Sequence, residues 1–168
     1  MMEIVNIVCS GSLNQEIKFN SLRKLDSFQY DPEMYHGAYL IINSKKVTLY
    51  KNGKYIFVGI KKIDDINAQF NQMKEILSPL LNTNKFGLPQ IQNMVIIDQL
   101  PKAINLKNLS KKGIDDSFEY KAGRFARLMY KGKKGTVSIF SSGKMVFLGF
   151  KSIKDAEFTR AFIMKLIC

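Results

Sequence analysis

Hydrophobic and polar positions alternate from Ile4 to Ser10, with β-branched side chains, and this predicts a strand. Residues 17–25 bring Ile17, Leu22 and Leu25 near one helical face, a short helix. Three apolar segments follow at residues 37–43, 46–51 and 54–60, divided by turns. Asn52-Gly53 reads as a tight primed hairpin turn, which needs positive φ. Over residues 64–81, Ile66, Phe70, Met73, Leu77 and Leu80 fall on one side of a longer amphipathic helix. The order strand, helix, strands, helix implies an α+β fold with an antiparallel sheet and its helices on one face.

The same order then repeats. Asp26-Ser27-Phe28-Gln29-Tyr30 returns ninety residues later as Asp116-Ser117-Phe118-Glu119-Tyr120. Gly53-Lys54 returns as Gly143-Lys144, and Gly59 with Lys61 as Gly149 with Lys151. Earlier in the chain the offset is 87: Asn6 with Asn93, Ile17 with Ile104, Leu22 with Leu109. The difference fits a short insertion near Lys111-Lys112-Gly113. Residues 1–84 read as the first repeat, 85–90 as a linker, and 91–168 as the second repeat. Each half is small for an independent core, so one continuous structure is expected.

One pattern is out of place in a sheet with a wet outer side. Tyr55-Ile56-Phe57-Val58-Gly59-Ile60 and Met145-Val146-Phe147-Leu148-Gly149-Phe150 are apolar at odd and even positions alike, as in strands buried on both faces. Two helices per half cover one face. The other must meet a ligand, lie under loops or a dimer mate, or stay exposed.

Charge narrows the choice. The 168 residues carry 26 Lys and Arg against 14 Asp and Glu, a net charge of +12. Residues 1–90 hold 11 basic and 8 acidic side chains, whereas residues 91–168 hold 15 and 6. Such a surface suits a polyanion. A 46% hydrophobic, 24% charged composition excludes a disordered chain, and no apolar run approaches a bilayer span. Met1-Met2-Glu3 lacks the plan of a signal peptide. Cys9 and Cys168 make no disulfide framework, which fits a reducing compartment. His36 is the only histidine, so Ser/His/Asp and Cys/His constellations and the usual zinc sites are excluded. Asp64-Asp65 and Asp115-Asp116 read as helix-start and loop charges. No enzyme, no cofactor and no metal are expected.

Lys121-Ala122-Gly123-Arg124-Phe125-Ala126-Arg127-Leu128-Met129-Tyr130-Lys131, followed by Ile139-Phe140-Ser141-Ser142-Gly143-Lys144-Met145-Val146, resembles the TATA-box-binding protein family. So does Ile91-Gln92-Asn93-Met94-Val95, and, less sharply, Tyr30-Asp31-Pro32-Glu33-Met34-Tyr35-His36-Gly37 with Val47-Thr48-Leu49-Tyr50. The resemblance spans the chain. It implies two pseudo-symmetric repeats forming a saddle, a curved ten-stranded antiparallel sheet with four helices on the convex face. Its concave face would sit in the minor groove of double-stranded AT-rich DNA and bend it during transcription initiation. The absence of a long N-terminal extension is closer to an archaeal layout. Location would be the nucleoid-associated cytoplasm if archaeal and the nucleus if eukaryotic.

By the same resemblance the intercalating wedges are Tyr35, Tyr50, Phe125 and Phe140, each pair fifteen residues apart. Asn6 and Asn93 correspond to the central minor-groove donors. Val8, Val95, Ile56 and Val146 would form the apolar floor, with Val58 and Leu148 where the family has threonines. Lys54, Lys61, Lys131, Lys144 and Lys151 fall at phosphate-contacting positions. Thr48 and Ser138 replace groove leucines, and Ile41 replaces a phosphate-contacting arginine. Lys121, Ala122 and Gly123 replace the acidic segment that docks the family's B-type general transcription factor. Relaxed selectivity and loss of that factor's contact are the expectations. A homodimer could cover the free groove face, and a regulatory module that binds transcription machinery without tight DNA binding is the alternative function.

Overall fold

Alternation of core-facing and outward side chains builds every strand, and the helices close over the core-facing side. The computed structural model describes residues 1–111 and 116–167. Lys112 and Gly113 of the expected insertion, Asp115 of the paired aspartates and Cys168 lie outside the described residues. The strands are β1 (Glu3–Ser12), β2 (Phe28–Gln29), β3 (Ala38–Ile42), β4 (Lys45–Leu49), β5 (Lys54–Ile60), β6 (Gln90–Gln99), β7 (Phe118–Lys121), β8 (Arg127–Lys131), β9 (Thr136–Phe140) and β10 (Lys144–Phe150). The helices are α1 (Phe19–Leu22), α2 (Asp64–Leu77), α3 (Leu106–Lys111) and α4 (Ile153–Ile167). These ten strands and four helices are the number that the resemblance implies.

The chain forms two units, Asn6–Gln92 and Met1–Val5 with Asn93–Cys168. In the first, the strand order is β2-β3-β4-β5-β1; in the second it is β6-β10-β9-β8-β7, with antiparallel pairing throughout. The first core contains Ile7, Cys9, Leu40, Val47, Leu49, Tyr55, Phe57 and Ile60 under Phe70, Met73 and Leu77 of α2. The second contains Met94, Ile96, Leu128, Val137, Ile139, Met145, Phe147 and Phe150 under Ala156, Thr159 and Ile163 of α4. Burial pushes the Cys9 thiol up to about 11, so it packs as an inert hydrophobe.

The duplication extends to single hydrogen bonds. Leu13 N–H donates to the Gly53 carbonyl at 2.8 Å, and Leu100 to Gly143 at 2.8 Å. Ile17 donates to Lys51 at 2.8 Å, and Ile104 to Ser141 at 3.0 Å. Each twin bond joins a residue repeated at 87 to one repeated at 90. The insertion therefore lies between these segments without disturbing either.

Three local expectations need correction. Asn52-Gly53 is not a primed two-residue turn: Gly53 alone has positive φ, +90°, and its N–H bonds the Tyr50 carbonyl at 2.9 Å, closing a three-residue loop. The two-residue turn with both central φ positive is Asn43-Ser44, at +48° and +63°, between β3 and β4. The long helix stops at Leu77 rather than continuing through residue 81. Pro79 has no N–H for the Glu75 carbonyl, and the Ser78 hydroxyl takes that place at 2.8 Å. The two edge strands β2 and β7 are absent from the periodicity, since two to four residues make too short an alternation.

The segment read as a linker is tied to the first unit. Thr83–Lys85 forms a 3-10 turn, Asn14 Nδ2 donates to the Lys85 carbonyl at 2.9 Å, and Gly87 N–H to Ser12 at 2.8 Å. Asp64 and Asp65 open α2 as the helix-start charges expected of them.

Candidate nucleic-acid interface

The strand register sorts the remaining residues onto the sheet face away from the helices. In the first unit one cross-strand row reads Ser10, Ile56, Thr48, Tyr39, Gln29. In the second the matching row reads Ile97, Val146, Ser138, Met129, Glu119. The two rows correspond position by position. Val8 and Val95 lie on this face too, half-buried, and Val58 and Leu148 are exposed at 43% and 41%. Each unit thus presents an apolar sheet surface that its own helices do not cover. Ser10, Tyr39, Ile97, Met129 and Glu119 were not singled out from sequence; the period-2 pattern of their strands points the first four the same way, whereas Glu119 lies on β7, too short to show one.

Asn6 and Asn93 are fixed by a shared device. One extra residue enters β5 opposite Ile7–Cys9 and one enters β10 opposite Met94–Ile96, so each strand bulges. The bulge glycines, Gly59 and Gly149, have φ of +75° and +84°. Their N–H groups donate to Asn6 Oδ1 at 2.8 Å and to Asn93 Oδ1 at 2.7 Å. With the oxygen engaged, each amide keeps its NH₂ group as the remaining donor. A Cβ on either glycine would meet nothing within 3.5 Å, so backbone conformation, not space, calls for glycine.

The aromatic pairs differ between units. The Tyr35 and Tyr50 hydroxyls hydrogen-bond each other at 2.6 Å. Tyr35 also stacks on Tyr39, with ring centroids 6.0 Å apart, and lies 4.5 Å from the His36 ring. The Tyr35 hydrogen bond, and then burial, push the Tyr50 hydroxyl up to about 12. Phe125 instead stands 70% exposed with the Arg124 guanidinium over its ring, and Phe140 is half-buried at the end of β9.

Lys54, Lys61, Lys144 and Lys151 are exposed at or just beyond the ends of β5 and β10. Lys131 is exposed as well but pairs with Glu119 at 2.7 Å, and Lys121 holds the same carboxylate. These two lysines, Lys121 first, lower the Glu119 pKa to about 2. Gln29 is its first-unit counterpart, so this cluster belongs to the second unit alone.

Comparison with known proteins places this geometry. A family model described as "Transcription factor TFIID (or TATA-binding protein, TBP)" matches residues 1–80 and 88–168. The chain belongs to the TATA-binding protein family. It is 30% identical to TATA-box-binding protein C of Halobacterium salinarum over 166 residues, covering 93% of this chain and 91% of that one. It is 32% identical to the TATA-box-binding protein of Thermococcus sibiricus over 163 residues, covering 92% and 86%. Methanococcus jannaschii TBP shares its fold with a TM-score of 0.80 at 23% identity, over 98% of this chain and 97% of that one. The repeated rows and the Asn–Gly hydrogen bonds occur once in each unit. Among the described residues no helix is long and apolar enough to cross a membrane, and no cluster of His, Cys, Asp or Glu could hold a metal ion.

Proposed function

We propose that this protein is a DNA-binding and DNA-bending transcription initiation factor of the TATA-box-binding type, acting through the minor groove of AT-rich duplexes. The observation that carries the reading is the apolar sheet face, present twice at the same register and left uncovered by the helices. An apolar face with amide donors and a lysine rim complements a widened minor groove. Apolar atoms exclude water from sugars, amides donate to base acceptors, and lysines meet phosphates.

In this reading Phe125 with Phe140 and Tyr35 with Tyr50 wedge into base steps. Asn6 and Asn93 donate to the central base pairs. Val8, Val58, Ile56, Val95, Val146 and Leu148 form the floor, and Lys54, Lys61, Lys144 and Lys151 contact phosphates, with Lys131 joining once freed from Glu119. Val58 and Leu148 cannot hydrogen-bond bases, so discrimination rests on fit and deformability, and TA steps are preferred because they unstack readily. Lys121, Ala122 and Gly123 present no acid to a B-type factor, so its contact is lost here.

Selection of bound duplexes from a random pool, with bending scored, tests the reading. A broad AT-rich set bearing TA steps, bent on binding, is expected; no bent complex with any duplex refutes it. In the same assay Phe125→Ala should weaken binding more than Tyr35→Ala. Phe125 stands exposed and has only Arg124 over its ring to displace, whereas Tyr35 must first leave Tyr39, His36 and the Tyr50 hydroxyl.

A further inference from the structure

We propose that a cleft beside α3 in the second unit is a docking site for an acidic segment of a partner protein, one that lays an apolar side chain on Tyr120. The cleft is lined by Ile104, Leu106, Lys107, Tyr120, Ala126 and Ser141 among others. Tyr120 pairs in register with Leu128, whose side chain is in the core. The cleft therefore opens on the helix side of the sheet, away from the face assigned to DNA.

The duplication supplies an internal control. The first unit has the same cleft, lined by Ile17, Phe19, Tyr30 and Lys51. There the ring of Tyr30 is covered by the molecule itself. Phe19 meets it edge-on at 4.7 Å, the Arg23 guanidinium lies at 5.7 Å and the Lys51 ammonium at 5.8 Å. In the second unit the three corresponding positions are Leu106, Ser110 and Ser141. Every group that covers Tyr30 has been replaced by a shorter or aliphatic one, and among the described residues no ring or cation lies on Tyr120.

Charge has changed as well. Counting the lining residues, their chain neighbours and the cation on the ring, the first cleft sets Lys18, Arg23 and Lys51 against Glu16 and Asp31, an excess of one. The second has Lys102, Lys107, Lys121 and Arg127 against Glu119 alone, and Glu119 already pairs with Lys121 and Lys131. A half-buried ring that no other ring or cation covers among the described residues, set between aliphatic walls, takes an apolar side chain, and a cationic rim selects acidic flanks. A nucleic acid would leave the aliphatic walls of Ile104, Leu106 and Ala126 unused.

The probe is a labelled short peptide of Asp and Glu around a central Leu-Phe pair, titrated into the full chain by fluorescence anisotropy. Saturable binding is expected, weakened about tenfold or more by Lys107→Glu and by Tyr120→Leu, and unchanged by Lys18→Glu in the first unit. The peptide should stay bound when an AT-rich duplex is saturating. No binding, equal binding of a peptide lacking Leu-Phe, indifference to Lys107→Glu, or displacement by the duplex would each overturn the proposal. Displacement would mean that the acids merely imitate phosphate on the opposite face. Peptide binding without any duplex binding would instead sink the proposed function and leave this site standing.

Discussion

Tyr35 and Tyr50 show how a side chain's meaning depends on its neighbour. A tyrosine hydroxyl pressed against a base step needs a partner, and here each hydroxyl supplies the other's, at 2.6 Å. Removing one hydroxyl strands the second, whereas removing both leaves nothing unpaired. Tyr35→Phe and Tyr50→Phe should each cost about 0.5–1.5 kcal/mol of stability, and the double variant no more than either single one. Urea unfolding of the four proteins measures this, and simple additivity would refute it. Glu119 is the second informative residue, an acid on the face assigned to DNA. Glu119→Gln should release Lys121 and Lys131, raise duplex affinity and steepen the logarithmic salt slope by about 0.9 for each of the two that reaches a phosphate. Because its pKa is held near 2, the carboxylate stays charged above about pH 4, and this gain should be constant from there to neutrality. Unchanged affinity and slope would show that the two lysines never reach phosphate.

At the scale of elements, the two repeats keep one backbone with different fillings. Gly11 pairs with Tyr55 in the first unit, and the space a Cβ would need is taken by the tyrosine hydroxyl, which bonds the Gly87 carbonyl at 2.8 Å. Tyr55 also stacks on Phe70 of α2, ring centroids 6.1 Å apart. In the second unit the corresponding residues are Asp98, Met145 and Arg160, and the ring stack has become an ion pair between strand and helix. Burial pushes the Asp98 carboxyl up, but hydrogen bonds from Arg160 and the Gln99 backbone, with an ion pair to the chain's terminal ammonium, outweigh it and hold it below its usual range. A lowered pKa contributes stability above the ordinary carboxylate range and loses it as pH falls through that range. Arg160→Met should cost about 2–3 kcal/mol near neutrality, since a third of Arg160 stays in water, and the deficit should shrink below pH 3.8. Thermal unfolding across that window checks the sign; a deficit that grows in acid would refute it.

The molecule as a whole carries a charge of +12, and its use is measurable. Lys54, Lys61, Lys144 and Lys151 on phosphates, with Lys131 partly engaged, imply a logarithmic salt slope of about −3.6 to −4.5, at about −0.9 per phosphate. Lys144→Ala should make it shallower by about one unit for most duplexes alike. A slope near zero would assign the basic excess to something other than DNA.

The sequence by itself determined the duplication, its change of offset, the amphipathic elements and a second apolar sheet face. These are local or periodic properties, and the alternation that buries Phe57 and Phe147 turns Ile56 and Val146, half-buried, to the other face. The paired asparagines and aromatics were legible only because each occurs twice. Which hairpin was primed, how two bulges aim Asn6 and Asn93, and where α2 stops were settled by contacts between distant segments. The tyrosine pair closed on itself, the acid that holds two lysines and the cleft beside Tyr120 also came only from the tertiary structure. Each depends on side chains from different strands meeting across a register, and residues fifteen to fifty-six apart carry no mark of one another until the sheet brings them together.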